Sequence, residues 1–151
     1  MILDSLSGLD RVQLLEVYTR SVMLPEFGRC AEWVELLLPD ARVCCAASGE
    51  QGTESRGREA LLGLGRRMAC GEFDLVLGSL APPLRTRHLL SNITLFGTDT
   101  RSAEGCAVVT VTTLGGPNPP RWLASGRYAD RFSKGAEGCW RIQSRTFIAD
   151  K

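Results

Sequence analysis

The chain has 151 residues, 44% of them hydrophobic and 23% charged, which is enough for one domain around one core and too short for two independently stable ones. Eighteen Lys and Arg against seventeen Asp and Glu leave a formal charge of +1, so there is no clustered positive field and nucleic acid is excluded as an expected partner. No run of about 18 apolar residues occurs, and Met1-Ile2-Leu3-Asp4-Ser5-Leu6 lacks the basic start and apolar stretch of an export signal, so a cytoplasmic protein with no membrane association is expected.

Along the chain, Leu9, Val12, Leu15 or Glu16, Tyr18 or Thr19, and Val22 recur at helical spacing after Asp4 or Ser7 as possible N-caps. Pro25 bars continuation, so the first helix is predicted from Leu9 to about Met23. A second helix follows Gly28, with Cys30, Trp33, Val34, Leu37 and Leu38 on one stripe and Pro39-Asp40 as its stop. Ala41 to Ala47 reads as a short strand, Ser48 to Thr53 as a turn-like loop, and Arg58 to Met68 as a third helix weakened by Gly63 and Gly65. The Gly63-Leu64-Gly65 pair is a helix irregularity and no phosphate loop, because no strand precedes it and no Lys-Ser/Thr follows. After Gly78 to Pro83 the period changes to 2, and four extended runs follow: Arg85 to Phe96, Gly105 to Leu114, Trp122 to Phe132 and Cys139 to Ile148. Helices first and antiparallel strands afterwards define an α+β domain.

The chain offers few reactive groups. Its six cysteines are scattered and form no C-x-x-C, so buried free thiols are expected, and His88 is its only histidine, which leaves no imidazole pair for a zinc or iron site. No metal or cofactor is expected. In the run from Thr86 to Phe96, alternation places Thr86, His88, Leu90, Asn92, Thr94 and Phe96 on one face, a titratable ring among apolar and amide groups. A half-buried structural His and a His lining a ligand pocket fit this pattern alike. In the third run Trp122, Ala124, Gly126, Tyr128, Asp130 and Phe132 share a face, where Tyr128 either fills the core or points into a pocket and Asp130 satisfies a turn or an Arg. In the last run Trp140, Ile142, Ser144, Thr146 and Ile148 oppose Arg141, Gln143 and Arg145, which are expected on an exposed or subunit-facing surface.

The segment Pro82-Pro83-Leu84-Arg85-Thr86-Arg87-His88-Leu89-Leu90-Ser91-Asn92, with Gly126-Arg127-Tyr128-Ala129-Asp130 and Gly138-Cys139-Trp140-Arg141-Ile142-Gln143-Ser144-Arg145, resembles the SnoaL-like branch of the nuclear transport factor 2-like superfamily. That branch includes polyketide cyclases, scytalone and bile-acid dehydratases, and β subunits of ring-hydroxylating dioxygenases. The resemblance covers nearly the whole chain. It implies a cone-shaped α+β barrel of the nuclear transport factor 2-like or cystatin-like type, with N-terminal helices packed on a strongly curved, mostly antiparallel sheet and a pocket at the mouth of the cone.

Enzymes of this branch often use a pocket His with a carboxylate and a Tyr. His88 matches the family His, and Tyr18 resembles the Tyr of helix one. Two registers compete for the carboxylate. Counting forward from Tyr18 lands on Met23, and counting back from Pro39-Asp40 lands on Glu26, which is favoured. The resemblance thus makes His88, Tyr18 and Glu26 the candidate catalytic residues, and Asn92, Phe96, Trp122 and Tyr128 the candidate substrate-binding ones, and it gives Arg145 an alternative to the surface, a place in the pocket where some relatives carry a basic residue. The second acid or base that some relatives carry near Val111 or Thr113 is missing, which argues against a two-base dehydratase.

Three functions follow as expectations. The first is a cofactor-independent cyclase, dehydratase or isomerase acting on a small hydrophobic polyketide, steroid-like or aromatic molecule, with His88 moving a proton. The second is a non-catalytic dioxygenase β subunit, suggested by Pro82 to His88, and the third is a binding module without turnover. By analogy the chain pairs with itself as a homodimer or homotrimer.

Overall fold

The first helix, α1 (Gly8–Glu26), opens on Ser7, whose Oγ accepts from the Asp10 amide at 3.1 Å while the Asp10 carboxylate accepts from the Ser7 amide at 3.1 Å. A computed structural model describes residues 4–47, 52–70 and 85–150. Contrary to the expected stop, Pro25 lies inside α1, since a proline there removes a single backbone donor from the last turn. The helix ends instead on Gly28, in the left-handed region at φ 72°, with Gly28 N–H bonded to the Pro25 carbonyl and Arg29 N–H to that of Leu24. That extra turn carries Glu26 to the sheet.

The second helix is shorter than predicted. It spans α2 (Cys30–Glu35), and Leu37 to Ala47 forms strand β1 (Leu37–Ala47), which runs parallel to the last strand. The Ile142 amide bonds the Leu36 carbonyl at 2.8 Å, so sheet pairing captures the chain before the Leu37-Leu38 stripe can extend the helix. Pro39 and Asp40 then fall in the register shift between Leu37 and Arg42, where a residue without N–H costs no ladder bond. Of the loop expected over Ser48 to Thr53, residues 48–51 lie outside the described residues, and Thr53 opens a short unpredicted strand, β2 (Thr53–Arg56). Helix α3 (Arg58–Ala69) agrees with expectation, and its Gly65 serves packing: a Cβ there would stand 2.9 Å from the Trp33 ring. The Gly78 to Pro83 stretch and the start of the Pro82 to Asn92 motif lie outside the described residues.

Four long strands complete the sheet: β3 (Thr86–Asp99), β4 (Ser102–Thr113), β5 (Trp122–Lys134) and β6 (Trp140–Ala149), in the spatial order β2-β1-β6-β5-β4-β3. All neighbours are antiparallel except β1 and β6. The concave face packs Leu14, Tyr18, Trp33, Leu61, Val109, Phe132 and Ile142 into one core with the helices. The free edge of β3 is closed by the N-terminal segment and α1. Asp4 Oδ1 accepts from Gly97 N–H at 3.0 Å, Arg11 donates to the Leu95 carbonyl at 3.3 Å, and Glu26 Oε1 accepts from His88 N–H at 2.6 Å. Among the described residues no helix is long and apolar enough to cross a membrane.

Bulges re-aim the strands around the site. In β3, Asn92 and Ile93 face the single residue Ala107, with Asn92 at φ 50°; in β5 Leu123 is the extra residue, and in β6 it is Gln143. Each extra residue reverses the alternation beyond it. One close approach inside the cone is testable. A Cβ on Gly105 would lie 2.5 Å from Tyr18 Oη and 2.9 Å from Phe132, both fully buried, so Gly105→Ala is expected to lose about 1–3 kcal/mol in urea unfolding.

Candidate functional site

The last turn of α1 and the first residues of β3 face one another across the mouth of the cone. Ser21, Val22, Pro25 and Glu26 from α1, Met68 from α3, Thr86 and His88 from β3, and Tyr128 from β5 line a pocket there. A wider groove of about 370 Å³, apolar through Met23, Phe27, Leu89 and Ile93, shares Val22, Glu26 and His88 with the pocket. His88 and Glu26 therefore stand at the junction of a narrow inner space and an open outer one.

Of the two registers considered for the carboxylate, Glu26 is the one beside His88. Its Oε1 accepts the His88 backbone N–H, and its Oε2 lies 3.6 Å from Arg87 Nε. The carboxylate thus fixes the strand that carries the imidazole. Met23, by contrast, is exposed in the outer groove.

Behind the pocket lies a group that sequence alternation places outside. Because Gln143 bulges, Arg145 points inward and is buried instead of lying on the surface, and its Nε and Nη2 donate to the Asp130 carboxylate at 2.9 and 2.7 Å. Its Nη1 donates to Ser21 Oγ at 2.8 Å, and Ser21 in turn donates to the Tyr18 carbonyl. The guanidinium carbon sits 4.0 Å from the centre of the Tyr128 ring, which packs edge-on against Phe147. Asp130 therefore satisfies an Arg, one of the two roles its sequence allows.

This arrangement sets the protonation states. Burial, reinforced by the positive charge of Arg145, lowers the His88 pKa to about 4, so the imidazole is neutral at pH 7. Burial pushes the Tyr128 phenol up to about 12 and the Cys45 thiol up to about 11, which makes both proton-bearing and inert as nucleophiles at neutral pH. For Arg145, burial pulls the pKa down but the Asp130 charge outweighs it, and the guanidinium stays charged.

The remaining sequence candidates scatter. Tyr18 is fully buried one helical turn before the pocket, edge-on to Phe132 at 5.4 Å, and does not line the pocket; burial and the Asp130 charge raise its pKa well above the ordinary phenol value. Beyond the β3 bulge Asn92 and Phe96 turn outward, while Ile93 and Leu95 take the inner face. Trp122, separated from Ala124 by the Leu123 bulge, is 65% exposed. Of the four substrate-binding candidates only Tyr128 stands in the pocket wall. Sequence reasoning does not single out Ser21 and Met68, takes Thr86 only as a neighbour on the His88 face, and places Arg145 on the surface with a position inside the pocket as its alternative, for which the buried-face Asp130 is the supporting signal. Among the described residues no three His, Cys, Asp or Glu side chains gather in a way that could hold a metal ion.

Helices laid over a curved six-stranded sheet, with a pocket at the mouth of the cone, define a protein of the nuclear transport factor 2-like, or cystatin-like, fold, which solved structures share. Within that class the match is specific: the model of the SnoaL-like domain covers residues 7–146, and the chain belongs to that family. A variant of Rv3472, a protein of unknown function from Mycobacterium tuberculosis, is 23% identical and superposes with a TM-score of 0.76 over 96% of this chain and 79% of that one. Aln2 from a Streptomyces species is 19% identical, with a TM-score of 0.75 over 95% of this chain and 93% of its own. A chain assigned as the β subunit of a putative aromatic-ring-hydroxylating dioxygenase of Novosphingobium aromaticivorans is 17% identical, with a TM-score of 0.74 over 95% and 90% of the two chains. At these identities the likeness is one of fold. No curated protein matches the sequence significantly.

Proposed function

We propose that this chain is a cofactor-independent small-molecule enzyme of the SnoaL-like type, a cyclase, dehydratase or isomerase for a polyketide, steroid-like or aromatic intermediate. The observation that carries this reading is His88, a neutral, half-buried imidazole placed where the inner pocket meets the apolar groove. In such a reaction an imidazole nitrogen takes a proton from substrate carbon or oxygen. The resulting imidazolium is disfavoured by the same burial and by Arg145, so it returns the proton readily to a second substrate atom. Glu26 acts as a positioning residue through the His88 amide, Tyr128 forms a wall of the pocket, and the apolar groove takes the substrate skeleton. One proton acceptor suffices for a cyclisation or isomerisation, which suits a chain with Val111 paired opposite His88. The chain works as a homo-oligomer in this reading.

The test is turnover by the purified chain alone, with a panel of polyketide-derived and aromatic substrates and no added metal or cofactor. kcat/KM is expected to stay level from about pH 8 to 5 and to fall toward pH 4, following the lowered His88 pKa of about 4. Activity that appears only with a larger iron-containing chain would replace this reading with the dioxygenase-subunit one. Stoichiometric binding of the panel without conversion would replace it with the binding-module one.

A further inference from the structure

Helix α1 carries two apolar faces, and only one is used by the core. Leu14, Val17, Tyr18 and Val22 are buried against the sheet, whereas Leu9 is 68%, Val12 61%, Leu15 42% and Met23 42% exposed, and Phe27 just beyond the helix is 60% exposed. At 100° per residue, Leu9, Val12, Met23 and Phe27 fall within about 60° of one another over about 27 Å of helix, a pair at each end with Glu16, Thr19 and Arg20 between them on the same face. Scattered apolar residues are ordinary on a protein surface, but exposed apolar pairs aligned at both ends of one helix face form a surface that a partner can cover.

That face is complementary to itself. Reversed about Tyr18, Leu9 falls opposite Phe27 and Glu16 opposite Arg20, and Val12 comes within one residue of Met23. Glu16 and Arg20 lie about 40° apart near the middle of that face, and a dyad perpendicular to two antiparallel helices brings the same face of each copy together. Each Glu16 then meets Arg20 of the second copy, twice over. Among the described residues neither side chain forms a salt bridge within its own chain, although the Arg20 charge reaches Glu32 on α2.

We infer that α1 is the self-association surface of this protein, and that its occupant is a second copy packed antiparallel through Leu9, Val12, Met23 and Phe27 and locked in register by Glu16 and Arg20. Met23 and Phe27 also line the outer groove beside His88, so the N-terminal end of the second α1 roofs that groove. The surface itself does not depend on what chemistry His88 performs.

The experiment is sedimentation equilibrium on the full chain at micromolar concentration, with far-ultraviolet circular dichroism to show that each variant is folded. Wild type is expected at twice the chain mass, and Val12→Glu at the chain mass with unchanged helicity. Glu16→Arg and Arg20→Glu are each expected to weaken dimerisation at least tenfold, because each sets like charges opposite one another across the dyad. An equimolar mixture of those two single variants is expected to restore the dimer as a heterodimer, with opposite charges facing again although each helix keeps its own like-charged pair. A monomeric wild type would overturn the inference. So would a dimer that survives Val12→Glu, that is lost on Trp122→Glu at the far face of the sheet, or that the mixture fails to restore.

Discussion

Asp130→Ala is expected to lower the unfolding free energy by about 3–5 kcal/mol, read from urea titrations at pH 7, because it leaves a buried guanidinium without its counter-charge. The side chains of Asp130 and Arg145 are 0% and 5% exposed, and two nitrogens of Arg145 bond the carboxylate. After the substitution Ser21 Oγ would be the acceptor left to Arg145 among the described residues, and one neutral hydroxyl does not replace a bidentate carboxylate. Against a stability of about 5–15 kcal/mol such a loss brings a small domain close to unfolding at ordinary temperature. Replacing both partners together, with Asp130→Leu and Arg145→Met, should recover much of the loss, since a buried pair costs desolvation that apolar neighbours do not. A single-variant loss under about 1 kcal/mol would mean that Arg145 finds water in the folded protein and that the pair is not a dry one.

That pair also shows where sequence reasoning stops. The α+β order, the boundaries of α3 and the four long strands are legible because hydrophobic period and Gly or Pro punctuation report local structure directly. On β5, Ala124, Gly126, Tyr128, Asp130 and Phe132 fall on the buried face as alternation predicts, because no bulge separates them. Elsewhere a bulge of one residue intervenes, and nothing in Ser91-Asn92-Ile93, Trp122-Leu123 or Gln143-Ser144 announces it except an Asn tolerant of positive φ. The effect on the site is large. Alternation without bulges sends Asn92, Phe96 and Trp122 to the pocket and Arg145 to solvent, the reverse of where they lie. Pro25 misleads for another reason: the helix loses one donor there and regains its end through Gly28, an exchange that becomes visible only when both are placed in one turn. Glu26 is one residue beyond that proline, so the residue that holds the His88 strand depends on the least predictable turn of the chain.

His88→Gln is expected to leave the protein folded and to reduce kcat/KM by about 10²–10⁴, the range that a positioned acid or base contributes. Gln keeps a polar side chain of similar reach, and the bond that ties this strand to Glu26 uses the backbone amide of residue 88, which the substitution leaves in place. Activity alone would not separate loss of a proton acceptor from loss of shape, and the pH dependence of stability supplies the second readout. With a folded pKa of about 4 against 6.5 for the unsupported ring, the unfolded chain binds the proton more tightly between those values. The stability that rests on a neutral His88 is therefore complete above about pH 6.5 and is lost as the pH falls toward 4. On a lowering of that size the loss is at most about 3 kcal/mol, and less because His88 is only half-buried. Urea unfolding at pH 7 and pH 4.5 should show wild type losing about 1–2 kcal/mol more than His88→Gln between the two conditions. Equal losses would place the imidazole in contact with water in the folded state, and full turnover by the variant would remove His88 from the chemistry altogether. If both expected results are obtained, the same burial that destabilises the protonated ring accounts for a base that gives its proton back.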